Sequence, residues 1–208
     1  MNAADLSGAI TSISDLISKN KDYLVELDQQ NGDGDLGISI AAGFKAVEGY
    51  LAGAEEKDLG KLLMKCGGVF NEAAPSSLGT ILSFGFMGMA KALKGKEDAG
   101  ISETALAMEA GLNNIMEKAK SGPGEKTILD AIFPAVELLK KSNPNDSIAV
   151  IYAAAAKAAA DGSEATKAMR SVHGRASYYG DKSIGILDGG SVVGKLIFEG
   201  ISAYYQSN

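Results

Sequence analysis

The sequence contains one cysteine, Cys66, and one histidine, His173. A single cysteine cannot form an internal disulfide, which is typical of proteins from a reducing compartment. The N-terminal residues lack the basic and apolar regions of a signal peptide, and no apolar run reaches the roughly 18 residues of a membrane span. We therefore predict a soluble, cytoplasmic protein. We interpret Cys66 as a core residue on an apolar helix face, and His173, which has no Ser or Cys partner at a suitable spacing, as incidental.

A basic patch is also missing. Aspartate and glutamate total 26 against 20 lysines and arginines, which gives a formal net charge of −6. This balance argues against nucleic acid or an anionic membrane as a partner. An acidic protein that binds a polyphosphate must bind cations with it.

Strand patterns are nearly absent, and apolar residues recur at helical spacing along most of the chain. Asp35, Ser102 and Asp146 are expected N-caps. The predicted helices cover approximately residues 6–17, 36–47, 58–73, 78–93, 102–120, 127–141, 147–160 and 191–206. Eight helices with short connections predict an all-α fold, an antiparallel eight-helix bundle or barrel formed by a single domain over residues 1–208.

The connections between these helices differ in composition. In an up-and-down bundle, the first, third, fifth and seventh connections lie at the same end. These four are rich in Gly, Ser, Asp and Arg, and they cover residues 28–35, 75–77, 121–126 and 170–190. We therefore predict a functional site at that end of the bundle.

The first connection contains three carboxylates, Asp28, Asp33 and Asp35, in a stretch of eight residues. At a separation of ~4 Å, each pair of like charges would cost roughly 4 kcal/mol near a protein surface. A compensating cation is therefore expected, and hard divalent ions with oxygen ligands, Mg²⁺ or Ca²⁺, are the candidates. The alternative is a solvated turn in which Asp35 only caps the next helix.

Other motifs fit this turn less well. Gly32, Gly34 and Gly37 have the spacing of a dinucleotide fingerprint, but a helix precedes them instead of a strand, and the intervening residues are acidic. An EF-hand requires glycine at the position of Leu36 and glutamate at that of Ala42. The segment around Lys126 lacks the glycine that precedes lysine in a Walker loop.

The seventh connection offers groups that could bind phosphate. Arg175 lies in a glycine-flanked loop, and a guanidinium commonly binds phosphate through two hydrogen bonds. Asp188, Gly189 and Gly190 precede the last helix, where free N–H groups could bind a phosphate or ribose oxygen. The alternatives are a surface arginine and an ordinary N-cap turn.

Taken together, these segments resemble the nucleotide-binding L subunit of dihydroxyacetone kinase, which also occurs as the C-terminal domain of single-chain kinases. The resemblance rests on the aspartate turn, on Pro123-Gly-Glu-Lys-Thr127, on Gly174-Arg-Ala-Ser-Tyr-Tyr-Gly-Asp-Lys-Ser-Ile-Gly185 and on Asp188-Gly-Gly190. It extends over nearly the whole chain. The family fold is an eight-helix antiparallel barrel.

The resemblance implies a nucleotide site with metal ions. Asp28, Asp33 and Asp35 would bind two Mg²⁺ ions that bridge the phosphates of ADP or ATP. The implied nucleotide contacts are Leu36, Gly37, Ile38, Ser39, Ala73, Ala74, Ser76, Ser77, Leu78, Ala119, Ile128, Arg175, Asp188, Gly189 and Gly190. The family often has histidine at the position of Leu36, asparagine at that of Ser39, and a Gly-Gly-Ala-Ser-Gly loop where this sequence has residues 71–79.

The resemblance also implies partners. The sequence offers no evident general base and no attachment site for a ketose, and the family places both on a separate substrate-binding subunit. The phosphoryl donor is either ATP or a phosphocarrier protein of the phosphotransferase system, and a homodimer is a further possibility. A divergent kinase for another short ketose, a regulatory protein that signals through its Mg–nucleotide state, and a structural Ca²⁺ site remain the alternatives.

Overall fold

The computed structural model describes residues 1–30 and 32–208; Asn31, inside the aspartate turn, lies outside the described residues. Within this part of the chain there are nine α-helices and no strand. They are α1 (Ala3–Lys19), α2 (Lys21–Asp28), α3 (Leu36–Ala52), α4 (Leu59–Ala73), α5 (Ser77–Ala92), α6 (Ile101–Ala119), α7 (Leu129–Lys141), α8 (Ile148–Ala165) and α9 (Gly189–Ser207). Short 3₁₀ helices cover Thr166–Ala168 and Arg175–Ser183.

Eight of these helices form a closed ring. From α3 to α9, each helix packs against the next in the chain, α1 packs against α3, and α9 returns to α1. The predicted eight-helix barrel is therefore confirmed among the described residues. Their apolar faces meet in a core that contains, among others, Ile17, Phe44, Phe70, Leu139 and Tyr152. Residues of this core also line an apolar cavity of about 150 Å³. No helix within residues 1–30 and 32–208 is long and apolar enough to cross a membrane.

The ninth helix, α2, was not predicted, and it lies outside the ring against α3 and α9. Asn20 separates it from α1 with φ −100° and ψ 7°. The Asn20 side chain donates to the Leu16 carbonyl at 2.8 Å, which completes the end of α1. The backbone carbonyl of Asn20 accepts from the Leu24 N–H at 2.9 Å. Asparagine competes in this way for backbone groups and interrupts helices. The helix places Asp28 at its last turn.

Of the three predicted N-caps, Asp35 is confirmed in position, whereas Ser102 and Asp146 are wrong. The Asp35 side chain makes no capping hydrogen bond to a described residue, although Asp35 occupies the N-cap position of α3. Helix α6 begins one residue before Ser102, with Gly100 as its N-cap. Ser147, instead of Asp146, precedes α8. At Asp35 the carboxylate faces the other aspartates instead of the helix end, which leaves it available for the site.

The close approach of α2 to α3 depends on Gly37. A Cβ atom at this position would lie 2.2 Å from the Lys21 carbonyl oxygen and 3.0 Å from a methyl group of Val25. Real Cβ atoms essentially never approach another atom this closely, so any side chain would separate the two helices.

We expect Gly37→Ala to reduce the free energy of unfolding by about 1–3 kcal/mol, the usual cost of overpacking. Gly49 is the matched control, because it is exposed in the same helix and its added Cβ would have no described atom within 4 Å. Gly49→Ala should stabilise the protein by roughly 0.5–1 kcal/mol through helix propensity. Urea denaturation of both variants measures the difference, and equal effects would show that Gly37 is not a contact point.

Candidate functional site

One end of the barrel contains an open cavity of about 680 Å³. All four connections predicted to meet there contribute to it, with lining residues at positions 27–36, 75–78, 126–128 and 171–190. The prediction that these connections lie at the same end is therefore confirmed. The volume is within the roughly 300–1,000 Å³ that is usual for small-molecule sites.

The three aspartates converge at the edge of this cavity. One carboxylate oxygen from each of Asp28, Asp33 and Asp35 lies within 4.8 Å of the others. The turn is held partly by Asp28, whose Oδ2 accepts from the Gly34 N–H at 2.8 Å. Gly34 has φ +79°, a backbone conformation that glycine adopts without strain. The chain thus folds back so that residues 33 and 35 face residue 28.

The electrostatics of the cluster favour a cation. Burial and the neighbouring charges of Asp33 and Asp28 raise the pKa of Asp35 above its ordinary value, while Arg175 opposes the shift. Arg175 lies beside the cluster, with its Nη2 2.8 Å from Oδ2 of Asp33. Both side chains are exposed, so this ion pair contributes little stability and can be displaced at small cost. The cluster already attracts the one positive side chain within its reach in the described structure.

Helix N-termini add positive potential to the same cavity. The first residues of α3, α5 and α9, and Ile128 immediately before α7, all contribute to its lining. Each helix N-terminus is equivalent to roughly +0.5 elementary charge and presents N–H groups without intrahelical acceptors. An up-and-down ring places the N-termini of alternate helices at one end, so this convergence follows from the topology. Such an arrangement suits an anion such as phosphate.

The turn before α9 has the groups of an N-terminal site. Oδ2 of Asp188 accepts from the Ser191 N–H at 2.6 Å and caps the helix. Burial raises the pKa of Asp188 to about 7, opposed by its bond to Ser191 and by Lys126. Gly189 and Gly190 follow in the first turn, where their N–H groups have no acceptor within the helix.

The structure brings most of the predicted site residues to the cavity. Its lining includes Asp28, Asp33, Asp35, Leu36, Ser76, Ser77, Leu78, Ile128, Arg175, Asp188, Gly189 and Gly190. The other predicted contacts are not part of the lining: Gly37, Ile38, Ser39, Ala73, Ala74 and Ala119.

The positions of these other residues are explained by packing. Gly37 is buried against α2, Ala74 is fully buried, and Ile38 is exposed. Ser39 lies behind the cavity wall, and its Oγ is 3.2 Å from Oγ of Ser76, which caps α5. Ser39 can therefore support a cavity residue without reaching the cavity itself.

Two titratable residues of the cavity lining, His173 and Lys126, were not predicted as site residues from the sequence. The Lys126 side chain is 4% exposed despite its charge, and burial lowers its pKa. His173 Nε2 lies 2.6 Å from Oε2 of Glu125. Glu125 and Lys126 are neighbours in the motif Pro123-Gly-Glu-Lys-Thr127, so the resemblance had indicated the segment without assigning these roles.

Glu125 joins the connection at residues 121–126 to the connection at residues 170–190. Its Oε2 accepts from the Gly122 N–H at 2.8 Å and also contacts His173. The Gly122 N–H, followed by His173, lowers the pKa of Glu125 to about 2. A carboxyl group with a depressed pKa stabilises the folded state above its ordinary value of 4.5, and this stabilisation is lost as the pH falls from 4.5 through 2.

We expect Glu125→Gln to lower the unfolding temperature at neutral pH. The difference in unfolding temperature between this variant and the unsubstituted protein should shrink as the pH falls from about 4.5 to 2, where Glu125 itself becomes neutral. Thermal unfolding followed by circular dichroism at several pH values measures this difference. A difference that persists unchanged at pH 2 would show that the carboxylate charge is not responsible.

Comparison with known proteins agrees with this geometry. The DAK2 domain family matches residues 30–203. The chain is 31% identical over 183 residues to the ADP-binding subunit DhaL of PEP-dependent dihydroxyacetone kinase from Escherichia coli K12, covering 88% of this chain and 87% of that protein. The chain belongs to the DAK2 domain family. The match to the DAK2 family model starts at residue 30, after the end of α1. In the structure, α1 packs between α3 and α9 and closes the ring.

Other relatives differ in how much of their length this chain covers. A DhaL subunit from Listeria innocua is 32% identical over 91% of this chain and 90% of its own length. The rat triokinase/FMN cyclase is 30% identical over 97% of this chain, which corresponds to 36% of that protein. The region similar to this chain therefore makes up nearly the whole of one relative and about a third of the other.

Solved structures show the same fold. The dihydroxyacetone kinase of C. freundii superposes with a TM-score of 0.77 at 22% identity, over 98% of this chain and 34% of the kinase. The same kinase in complex with AMP-PNP and Mg²⁺ gives a TM-score of 0.75.

Proposed function

We propose that this DAK2 protein is the nucleotide-binding subunit of a dihydroxyacetone-type ketose kinase. It would hold ADP or ATP with Mg²⁺ while a separate subunit holds the ketose. The observation that carries the proposal is the convergence of three carboxylates within 4.8 Å beside Arg175, at a cavity that four helix N-termini face. Relatives named as ADP-binding subunits of a dihydroxyacetone kinase support the same assignment.

The donor set fits magnesium. Asp28, Asp33 and Asp35 offer only oxygen ligands, which hard divalent cations prefer. Burial, together with the neighbouring charges of Asp33 and Asp28, raises the pKa of Asp35. We propose two Mg²⁺ ions, because three carboxylates with two ions and Arg175 leave a formal charge of +2 for a polyphosphate. When bound, the ions would neutralise phosphate charge during phosphoryl transfer.

The chain's own residues would position the nucleotide. Arg175 can release Asp33 at small cost and donate two parallel hydrogen bonds to a phosphate. Gly189 and Gly190 line the same cavity, and their N–H groups can bind a phosphate or ribose oxygen. Leu36 and Ile128 provide apolar lining, and Leu36 lies against the backbone of Gly189.

The ketose would be bound elsewhere. The imidazole of His173 is at the cavity, but its Nε2 is occupied by Glu125 at 2.6 Å. The chain should therefore produce no sugar phosphate when assayed alone. We expect turnover after addition of a purified substrate-binding subunit of a dihydroxyacetone kinase, with ATP or a phosphocarrier protein as donor, measured as dihydroxyacetone phosphate. Binding of Mg–ADP without turnover in every combination would favour the regulatory alternative.

The donor can be identified separately. If a phosphocarrier protein rephosphorylates bound ADP, the nucleotide should remain on the protein through exhaustive dialysis. If ATP is the donor, ADP should exchange. Chromatography of the nucleotide released by acid from dialysed protein distinguishes the two.

A further inference from the structure

Lys126 is a buried ammonium group held by backbone carbonyls. Its Nζ lies 2.9 Å from the carbonyl oxygen of Thr166, 3.2 Å from Met169, 2.7 Å from Ser183 and 2.6 Å from Ile186. No carboxylate in the described part of the chain lies within 4 Å of this nitrogen. Buried charges are rare unless they are paired or fully hydrogen-bonded, so a specific role is expected.

The backbone directs this side chain inward. Lys126 has φ +60°, in the left-handed region that non-glycine residues adopt uncommonly. The turn is fixed by Asp130, whose buried carboxylate accepts from the Gly124 N–H at 2.5 Å and from the Thr127 N–H at 2.7 Å. The hydrogen bonds on both sides of Lys126 hold it in this conformation.

The four acceptors belong to the two ends of one segment. We call residues 166–187 the arginine segment, because it carries Arg175 to the aspartates. Thr166 and Met169 lie where it leaves α8, and Ser183 and Ile186 lie where it returns toward α9. Other bonds close the same loop, such as that from the Gly185 N–H to the Lys167 carbonyl at 2.7 Å. Lys126 therefore joins the two ends of the segment to each other and to the connection before α7.

We propose that Lys126 is the positioning residue of the nucleotide site: its ammonium group fixes both ends of the arginine segment and thereby places Arg175 beside the aspartates. This role of Lys126 depends on the proposed function only in the experiment that measures the affinity for Mg–ADP. An ammonium group has three donors and four carbonyls surround this one, so no donor is left for a phosphate. Lys126 thus acts through Arg175 rather than by touching the nucleotide.

The segment can be tested without nucleotide. In Lys126→Met, backbone amides of residues 167–187 should exchange hydrogen on the order of 10-fold faster, because the ends are no longer joined, while the ring helices should exchange as before. Hydrogen exchange followed by mass spectrometry measures both regions. Lys167→Met is the matched control, because Lys167 belongs to the same segment but its Nζ pairs with exposed Glu164.

A double-mutant cycle tests the link to Arg175. Titration calorimetry with Mg–ADP should show a loss of affinity on the order of 10-fold for Lys126→Met, as for other residues that orient a binding group. In the Arg175→Ala background the same substitution should cost much less, because the group that it places is absent. Lys167→Met should leave the affinity unchanged in both backgrounds.

Each other outcome contradicts the proposal. Losses that multiply in the double variant would mean that Lys126 contributes to binding independently of Arg175. Loss of helical circular dichroism in Lys126→Met would mean that it supports the whole ring, and unchanged exchange in residues 167–187 would mean that it does not hold the segment. If the unsubstituted chain fails to bind Mg–ADP, the proposed function fails, while the exchange experiment still decides the role of Lys126.

Discussion

Replacing Asp33 and Asp35 together by asparagine is expected to lower the affinity for Mg–ADP by about 100-fold to 10,000-fold. Each charge-assisted contact contributes about 1.5–3 kcal/mol, and tenfold in affinity corresponds to about 1.4 kcal/mol. The loss of two of the three ligands therefore lowers the affinity by about two to four powers of ten. Titration calorimetry at saturating Mg²⁺ measures the change.

The fold should tolerate this double substitution. The Asp35 side chain makes no capping bond to a described residue, whereas Asp28 accepts a backbone hydrogen bond and is therefore left unchanged. Relief of repulsion should even raise the unfolding temperature of the metal-free protein. For exposed charges near 4 Å the gain is about 1 kcal/mol, or roughly 2–4 °C for a protein of this size.

A control variant separates the site from net charge. Asp15→Asn with Asp146→Asn also changes the formal net charge from −6 to −4, and both aspartates are exposed away from the cavity. It should bind Mg–ADP like the unsubstituted chain. Equal affinity in the Asp33 and Asp35 double variant would refute the metal site.

Arg175→Ala should weaken Mg–ADP binding on the order of 100-fold, because two charge-assisted hydrogen bonds to phosphate are lost. Binding of Mg²⁺ alone should not weaken, since Arg175 pairs with Asp33 when no ligand is present and its removal frees that carboxylate. Separate titrations with MgCl₂ and with ADP at constant Mg²⁺ give the two affinities.

The same segment provides the control. Arg170 also makes an exposed ion pair, with its Nε 3.5 Å from Asp181, but it does not line the cavity. Arg170→Ala should bind Mg–ADP normally. A parallel loss in both arginine variants would mean that the segment attracts the nucleotide by its general positive charge instead of through Arg175.

Periodicity and connection chemistry were sufficient to predict the barrel and the end at which its site lies. The apolar faces of eight helices each need a neighbour, and short connections allow mainly up-and-down neighbours. That topology then brings the aspartate turn, Ser76, Ile128 and the arginine segment together at one end of the barrel. The aspartates could be predicted because their repulsion is a property of the local sequence.

Other features depend on contacts between distant residues. The break at Asn20 that creates α2 is a side-chain bond to the preceding turn, and the inward direction of Lys126 depends on Asp130 and on carbonyls 40 to 60 residues away. Lysine is usually an exposed residue, so composition gave no reason to place Lys126 inside. Ser39 was expected to contact the nucleotide, but it lies behind Ser76, which lines the cavity. Spacing along the sequence cannot distinguish a residue that lines a cavity from one that packs behind the lining.

Calorimetric titration of ADP into the purified protein, with excess Mg²⁺ and again with a chelator, tests the central claim most directly. We predict saturable binding with Mg²⁺ and its loss when the metal is removed, because the carboxylates repel a polyphosphate unless cations lie between them. Absence of heat from ADP and ATP at plentiful Mg²⁺, or an affinity that the chelator leaves unchanged, would contradict the account.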